Sequence, residues 1–119
     1  MSSDTPRPTP LADADYRTLT SAVLAGIEAD VDLWLQQDVV DIDASRTGGL
    51  LELSLPDGSK LIVNTQPPLQ ELWLAARSGG FHFKYIGGQW RDTREGRAFH
   101  DVLSACASEQ AGVPLRFNA

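Results

Sequence analysis

Six carboxylates crowd residues 28–43 of this chain: Glu28, Asp30, Asp32, Asp38, Asp41 and Asp43. Glu28 and Asp32 are four residues apart, the spacing that makes them neighbours on a helix surface. Asp41 and Asp43 are two apart, the spacing that points side chains the same way along a strand. Like charges at helical spacing cost stability, roughly 0.2–0.5 kcal/mol for a pair. No Lys or Arg lies between Thr18 and Ala44 to offset them. Hard carboxylate oxygens with no His or Cys nearby suit Ca²⁺, Mg²⁺, Mn²⁺ or loosely held iron that keeps several waters. The spacing of an EF-hand loop is absent. Two other readings stand beside metal binding. The acids would also attract a basic patch on another protein, or serve only as a solvated face.

The charge is unevenly placed. Residues 1–43 hold nine acids against two bases, a balance of −7, whereas residues 44–119 hold seven acids against eight bases, or +1. A net charge of −6 argues against nucleic acid as the main partner, because phosphate contacts need clustered Lys and Arg.

Other chemistry-bearing residues are fewer. If Leu72 and Leu74 face a core, Trp73 points to an open surface, with Asn64, Gln66 and Lys60 projecting near it. An exposed Trp ringed by polar groups resembles a binding hot spot. Trp34 and Trp90 read as packing residues. His82 alternates with Phe81 and Phe83, so it should share the open face with Trp73. His100 follows Phe99 on a helix, and neither histidine has the spacing of a zinc site. Cys106 falls on an apolar helix face and reads as core. No local motif marks a nucleophile, and the glycine pairs 48–49, 79–80 and 87–88 read as turns rather than a phosphate loop. An iron-oxidising enzyme would need a dinuclear site with Glu-x-x-His ligands, which the sequence lacks. The expectation is therefore no enzyme.

The elements that must position these residues follow from periodicity. A chain of 119 residues, 42% of them hydrophobic, is long and apolar enough for one domain with its own core. Residues 1–10 contain three prolines with Ser, Thr and Asp, and read as a disordered lead-in to a single domain over 11–119. The first helix is expected from Asp13 to Gln37, burying Leu19, Val23, Ile27, Val31 and Trp34. Asp13 and Asp15 at its start suit the helix dipole. Strands are expected over Val39–Ala44, Leu50–Leu55, Lys60–Asn64, Glu71–Ala76 and Phe81–Ile86, with a short sixth around Trp90. Pro56-Asp57-Gly58-Ser59 is a hairpin turn and Gln66-Pro67-Pro68 breaks the chain. A second helix is expected over Thr93–Ala111, with Asp92 and Glu95 resembling a capping box and Phe99, Val102, Leu103, Cys106 and Gln110 on one side. Gly112 and Pro114 end it, and the apolar tail Val113–Phe117 should tuck back. Two amphipathic helices can cover one face of such a sheet. The fold class is α+β: a two-layer α-β sandwich of two helices on one face of a five- to six-stranded, mainly antiparallel sheet.

No apolar run approaches the ~18 residues of a membrane span. Met1–Pro10 has no basic region followed by an apolar stretch, and the single cysteine excludes an intramolecular disulfide. Both point to a cytoplasmic protein.

Gly58-Ser59-Lys60, Asn64-x-Gln66-x-Pro68, Trp73-Leu74-Ala75, Gly79-Gly80-Phe81-His82-Phe83 and the Trp90 strand, with the acidic first helix and Asp41-Ile42-Asp43, form a recognisable combination. Over residues 14–117 the chain resembles the bacterial branch of the frataxin family, the CyaY proteins. The resemblance implies an iron chaperone or regulator of iron–sulfur cluster assembly that binds Fe²⁺ and Fe³⁺ weakly. The acidic ridge would be Glu28, Asp32, Asp38, Asp41 and Asp43, with Asp30 as an added acid. The implied partners are the cysteine desulfurase, docked through the ridge, and the iron–sulfur scaffold protein. The family's surface tryptophan would be Trp73, beside Asn64 and Gln66. A monomer is expected, with iron-dependent oligomerisation left open. The run Leu35-Gln36-Gln37-Asp38-Val39-Val40, with Ala29 and Leu33, is less acidic than family ridges often are, which implies weaker iron binding or fewer sites. Arg17 replaces a frequent histidine. The alternative reading is a metal-independent acidic interaction module.

Overall fold

The computed structural model describes residues 7–118. Helix α1 (Asp13–Gln36) leads into six strands, β1 (Asp43–Thr47), β2 (Leu50–Ser54), β3 (Lys60–Gln66), β4 (Glu71–Ala76), β5 (Gly79–Ile86) and β6 (Gln89–Asp92), and helix α2 (Phe99–Ala111) closes the fold. The strands pair in chain order as one antiparallel meander, so every strand lies beside the one that precedes it. A single turn of 3₁₀ helix, Pro67–Leu69, fills the chain break between β3 and β4.

Alternation along the strands makes the sheet two-sided. Leu51, Leu53, Leu61, Val63, Leu72, Leu74, Phe83 and Trp90 turn to one side and join Leu24, Ile27 and Val31 of α1 and Phe99, Val102 and Leu103 of α2 in one core. The opposite side carries Glu52, Ile62, Asn64, Trp73, His82 and Lys84, none of them fully buried. This is the expected two-layer sandwich, with all six strands antiparallel. The tail returns as expected: Phe117 is fully buried and packs edge-on against Trp34, with ring centroids 4.7 Å apart.

Several details differ from the periodicity reading. The buried stripe of α1 is Tyr16, Thr20, Leu24, Ile27 and Val31, while Leu19, Val23 and Trp34 sit at its rim. Thr20 can enter the core because its hydroxyl donates to the Tyr16 carbonyl at 3.0 Å. Residues 39–42 of the expected Val39–Ala44 strand precede β1 rather than belonging to it, although Ile42 is buried between exposed Asp41 and Asp43 as the alternation requires. Residues 1–6 of the expected lead-in lie outside the described residues. Within the rest of it, the Thr9 N–H donates to Tyr85 O at 2.7 Å, so the tie to the sheet reaches back into that segment.

The largest departure is the start of α2, six residues later than expected. Asp92 ends β6 with its side chain turned inward, 4% exposed. Oδ1 accepts from the Arg94 and Glu95 N–H groups at 2.9 and 2.6 Å, and Oδ2 from the Arg97 N–H and guanidinium at 3.0 and 3.1 Å. The Asp92-x-x-Glu95 pattern thus organises a loop rather than a helix start, and Gly96 at φ +73° turns the chain out of helical geometry. Burial acts to raise the Asp92 carboxyl pKa. The three N–H bonds and Arg97 outweigh burial and hold it below the usual carboxylate range.

Replacing Asp92 with Ala removes an acceptor shared by four donors and should cost about 2–3 kcal/mol in urea unfolding. Because the folded pKa is depressed, the Asp92 contribution is complete above its unfolded pKa of about 4. It is lost as pH falls through the lower folded value. The stability gap between the wild type and Asp92→Ala should therefore narrow below about pH 4. A gap constant from pH 7 down to pH 2 would refute this account.

Candidate functional site

The acids lie along one exposed run, from the C-terminal half of α1 through the following loop into edge strand β1. Helix α1 presents Glu28 and Asp32 on one face, as the four-residue spacing requires. The Gln37 N–H bonds to Leu33 O at 2.9 Å, and Asp38 then takes a left-handed conformation at φ +58° that reverses the chain. Asp tolerates that backbone better than most residues. Asp41 follows in extended chain. Asp43 opens β1 opposite Ser54, on the side of the sheet away from the helices.

The acids do not all stand free. Arg46 alternates with Asp43 along β1, so it turns toward α1. There its guanidinium bonds Glu28 Oε1 at 3.0 Å and Ser21 Oγ at 3.0 Å. Asp32 accepts from the Gln36 amide at 3.1 Å. Asp30 faces away from this run, and its Oδ2 accepts the Asn118 N–H at 2.9 Å, binding α1 to the C-terminal tail. Among the described residues, no Lys or Arg forms an ion pair with Asp30, Asp32, Asp38, Asp41 or Asp43. No three His, Cys, Asp or Glu side chains among the described residues converge as a ready metal cage. The ridge is therefore an open line of carboxylates, in reach of a hydrated cation or a basic surface rather than closed around an ion. Arg46 was the residue that sequence reasoning missed; it is the first base after the acidic run, two positions from Ala44 on the helix-facing side.

The second feature lies on the open face of the sheet. Strand register sets Asn64 on β3, Trp73 on β4 and His82 on β5 side by side. The Trp73 indole and the His82 imidazole are stacked, with centroids 4.2 Å apart and planes 6° from parallel. With Asn64, Ile62 and Phe81 they line a shallow hollow of about 170 Å³. Gln66 lies one pair further along, opposite Glu71. Trp73, Asn64 and Gln66 therefore share one surface, as the sequence predicts, and His82 joins them.

Strand periodicity places Glu71 only as the first residue of β4. It lies on the open face yet is 7% exposed. Its Oε1 accepts the Trp73 Nε1–H at 2.7 Å and lies 3.7 Å from His82 Nδ1. Its Oε2 meets Lys84 Nζ at 2.8 Å. Burial pushes the Glu71 carboxyl pKa up. The bonds from Lys84 and Trp73, aided by the charges of Lys84 and His82, win and leave it lowered. Two other candidates drop away from the site. Cys106 is buried on the core face of α2, with Ser78 Oγ 3.7 Å from its sulfur. His100 is partly buried beside Arg116, and burial and that charge lower its pKa against the opposing pull of Asp30 and Asp101.

Comparison with known proteins agrees with this arrangement. Residues 9–113 match the model of the Frataxin-like domain. The chain is 48% identical over 109 residues to the iron-sulfur cluster assembly protein CyaY of Burkholderia mallei, with 92% of this chain and 100% of that protein covered. The CyaY protein of Burkholderia pseudomallei matches with the same figures. Among solved structures, the frataxin of Psychromonas ingrahamii superposes with a TM-score of 0.80 at 31% identity, covering 92% of this chain and all of the other. Trimeric yeast frataxin complexed with ferrous iron shares the fold, with a TM-score of 0.63 at 24% identity over 92% and 94% of the two chains. The ridge, the stacked tryptophan and the meander under two helices are thus carried by a chain that belongs to the frataxin-like family, in its bacterial CyaY branch.

Proposed function

We propose that this protein is an iron-binding regulator of iron–sulfur cluster assembly, a cytoplasmic adaptor with no chemistry of its own. The observation that carries the reading is the exposed line of Asp32, Asp38, Asp41 and Asp43 without a cationic partner among the described residues. Self-repulsion along such a line is relieved when a cation or a basic surface arrives, which gives the acids a reason to remain unpaired. The name borne by the Burkholderia relatives, iron-sulfur cluster assembly protein, supports the pathway. The ridge would dock on a basic patch of the cysteine desulfurase, and Trp73, Asn64 and Gln66 would contact the scaffold protein in the same assembly.

Iron in this reading is cargo. Single carboxylates spaced along a ridge can each replace one or two waters of a hydrated iron ion, which gives weak binding and easy release. Glu28 is the exception, since Arg46 already neutralises it. The lack of convergence among the acids also favours a second reading, in which the ridge only steers and docks a basic partner. In that case no iron effect accompanies binding.

Amide NMR spectra separate the two. Anaerobic ferrous titration and desulfurase titration should both perturb the segment from Asp32 to Asp43, and iron should perturb Glu28 less than Asp32, Asp38, Asp41 or Asp43. Perturbation by the desulfurase alone would establish the metal-independent docking face. The double variant Asp41→Asn, Asp43→Asn should weaken desulfurase binding roughly 3- to 10-fold at low salt and flatten its salt dependence. Unchanged affinity and unchanged salt slope would remove the ridge from the interface. Trp73→Ala should weaken binding to the desulfurase–scaffold complex at least about 10-fold while leaving the far-UV circular dichroism intact. A folded Trp73→Ala protein that binds as well as the wild type would remove the open face from the interface.

A further inference from the structure

The open sheet face contains a charge arrangement that the proposed docking does not by itself require. A tryptophan on a solvent-facing sheet surface ordinarily keeps freedom about its side-chain torsions. Trp73 does not. Its indole N–H is bonded at 2.7 Å to Oε1 of Glu71, two residues earlier on the same face of β4, and its ring lies flat against His82 from β5. The carboxylate that holds the indole is itself held. Lys84, directly across from Glu71 in the β4–β5 register, takes Oε2 at 2.8 Å. Glu71 therefore divides its two oxygens between an anchor and the ring it orients. Charge-assisted bonds of this kind are short and strong compared with neutral ones.

We propose that Glu71 is the positioning residue of the Trp73 surface: its carboxylate, braced by Lys84, locks the indole in the stacked arrangement in which a partner protein meets it. This deepens the assignment of Trp73 as a partner-binding residue and rests on it. Two features converge on the latch. Glu71 is almost fully buried on a face where its neighbours are not. Every polar atom of its side chain is engaged by a residue of the site. A side chain fixed before binding loses less conformational freedom on binding, so removal of the latch should weaken association about 3- to 10-fold without removing any contact to the partner.

The test uses Glu71→Met, which keeps the stem and deletes the acceptor, and Glu71→Gln, which keeps an oxygen for the indole and deletes the charge. In the free protein, the Trp73 Nε1–H resonance, assigned by its loss in Trp73→Phe, should move upfield and exchange faster with water in Glu71→Met. It should stay close to the wild-type position in Glu71→Gln. Affinity for the desulfurase–scaffold complex should follow the same order: reduced about 3- to 10-fold in Glu71→Met and largely restored in Glu71→Gln. Thermal melts of both variants confirm that the comparison is between folded proteins, and Trp73→Ala serves as the control for the surface itself. An unmoved indole resonance in Glu71→Met overturns the latch whether or not Trp73 binds a partner. Equal loss of affinity in Glu71→Met and Glu71→Gln overturns it too, by showing that charge rather than ring orientation is what the partner reads. If Trp73→Ala binds like the wild type while the resonance moves as expected, the latch exists but the docking assignment fails with the proposal.

Discussion

Two helices can cover only one face of a six-stranded sheet, and this constraint governs the rest of the molecule. Each strand must send every second side chain into the core and the others to the uncovered side. Leu72 and Leu74 are committed to the helices, so Glu71, Trp73 and Ala75 are committed to the open face. The same parity on β3 and β5 delivers Asn64 and His82 beside Trp73. A one-residue slip of β4 would bury Trp73 and expose Leu72 and Leu74, so core packing and the open face are specified together. On β1 the parity has a different consequence. It turns Arg46 toward α1 and Asp43 away, splitting one short strand between closing the fold and extending the acidic ridge.

Glu71 connects the two sides of the sheet. Its backbone carbonyl accepts from the Tyr16 hydroxyl, and that hydroxyl also accepts from the Gln66 N–H at 3.0 Å. Burial raises the Tyr16 pKa, and the nearby Glu71 carboxylate adds to the rise, so the proton needed for the bond is retained. Helix α1 is thereby fixed to the junction of β3 and β4 at the residue whose side chain holds Trp73 on the other face. The helix that carries much of the acidic ridge and the strand that carries the tryptophan share a rigid joint. A partner complex that contacts both would meet them at a fixed separation.

Much of this was legible in the sequence because alternation is strong in the middle of the chain. Strand β4 falls at Glu71–Ala76 as expected, and the Pro56–Ser59 turn sits between β2 and β3. What escaped was decided by side chains that bond to distant backbone or to each other. Asp92 resembles a helix cap because its three-residue spacing to Glu95 matches that of a capping box, although that box normally starts with Ser or Thr. Here its oxygens organise a loop, and α2 begins at Phe99. Thr20 displaced a neighbouring hydrophobe from the centre of α1 because a threonine that bonds its own helix behaves as apolar on its outer side. The open face itself was read correctly for Trp73, Asn64, Gln66 and His82, since parity alone places them. Glu71 was not read as part of it, because its role depends on Lys84 standing opposite on β5, and a register between two strands is a pairing fact rather than a spacing fact.

Local electrostatics keep the ridge from closing into a cluster. Arg46 neutralises Glu28 at the start of the run, and Asp30 is turned to the C-terminal tail, so the six acids of the sequence do not form one cluster. Had they converged, the cost of holding carboxylates together would have demanded a resident cation, and an ion bound that tightly would leave slowly. Spread along a helix end, a left-handed turn and an edge strand, they produce a field several residues long with no single deep minimum. Such a field would accelerate encounter with a basic surface and would retain a hydrated metal only briefly. In the proposed function, loose iron binding and electrostatic docking would be two responses of one arrangement, and the spacing that limits the first would leave the acids free for the second.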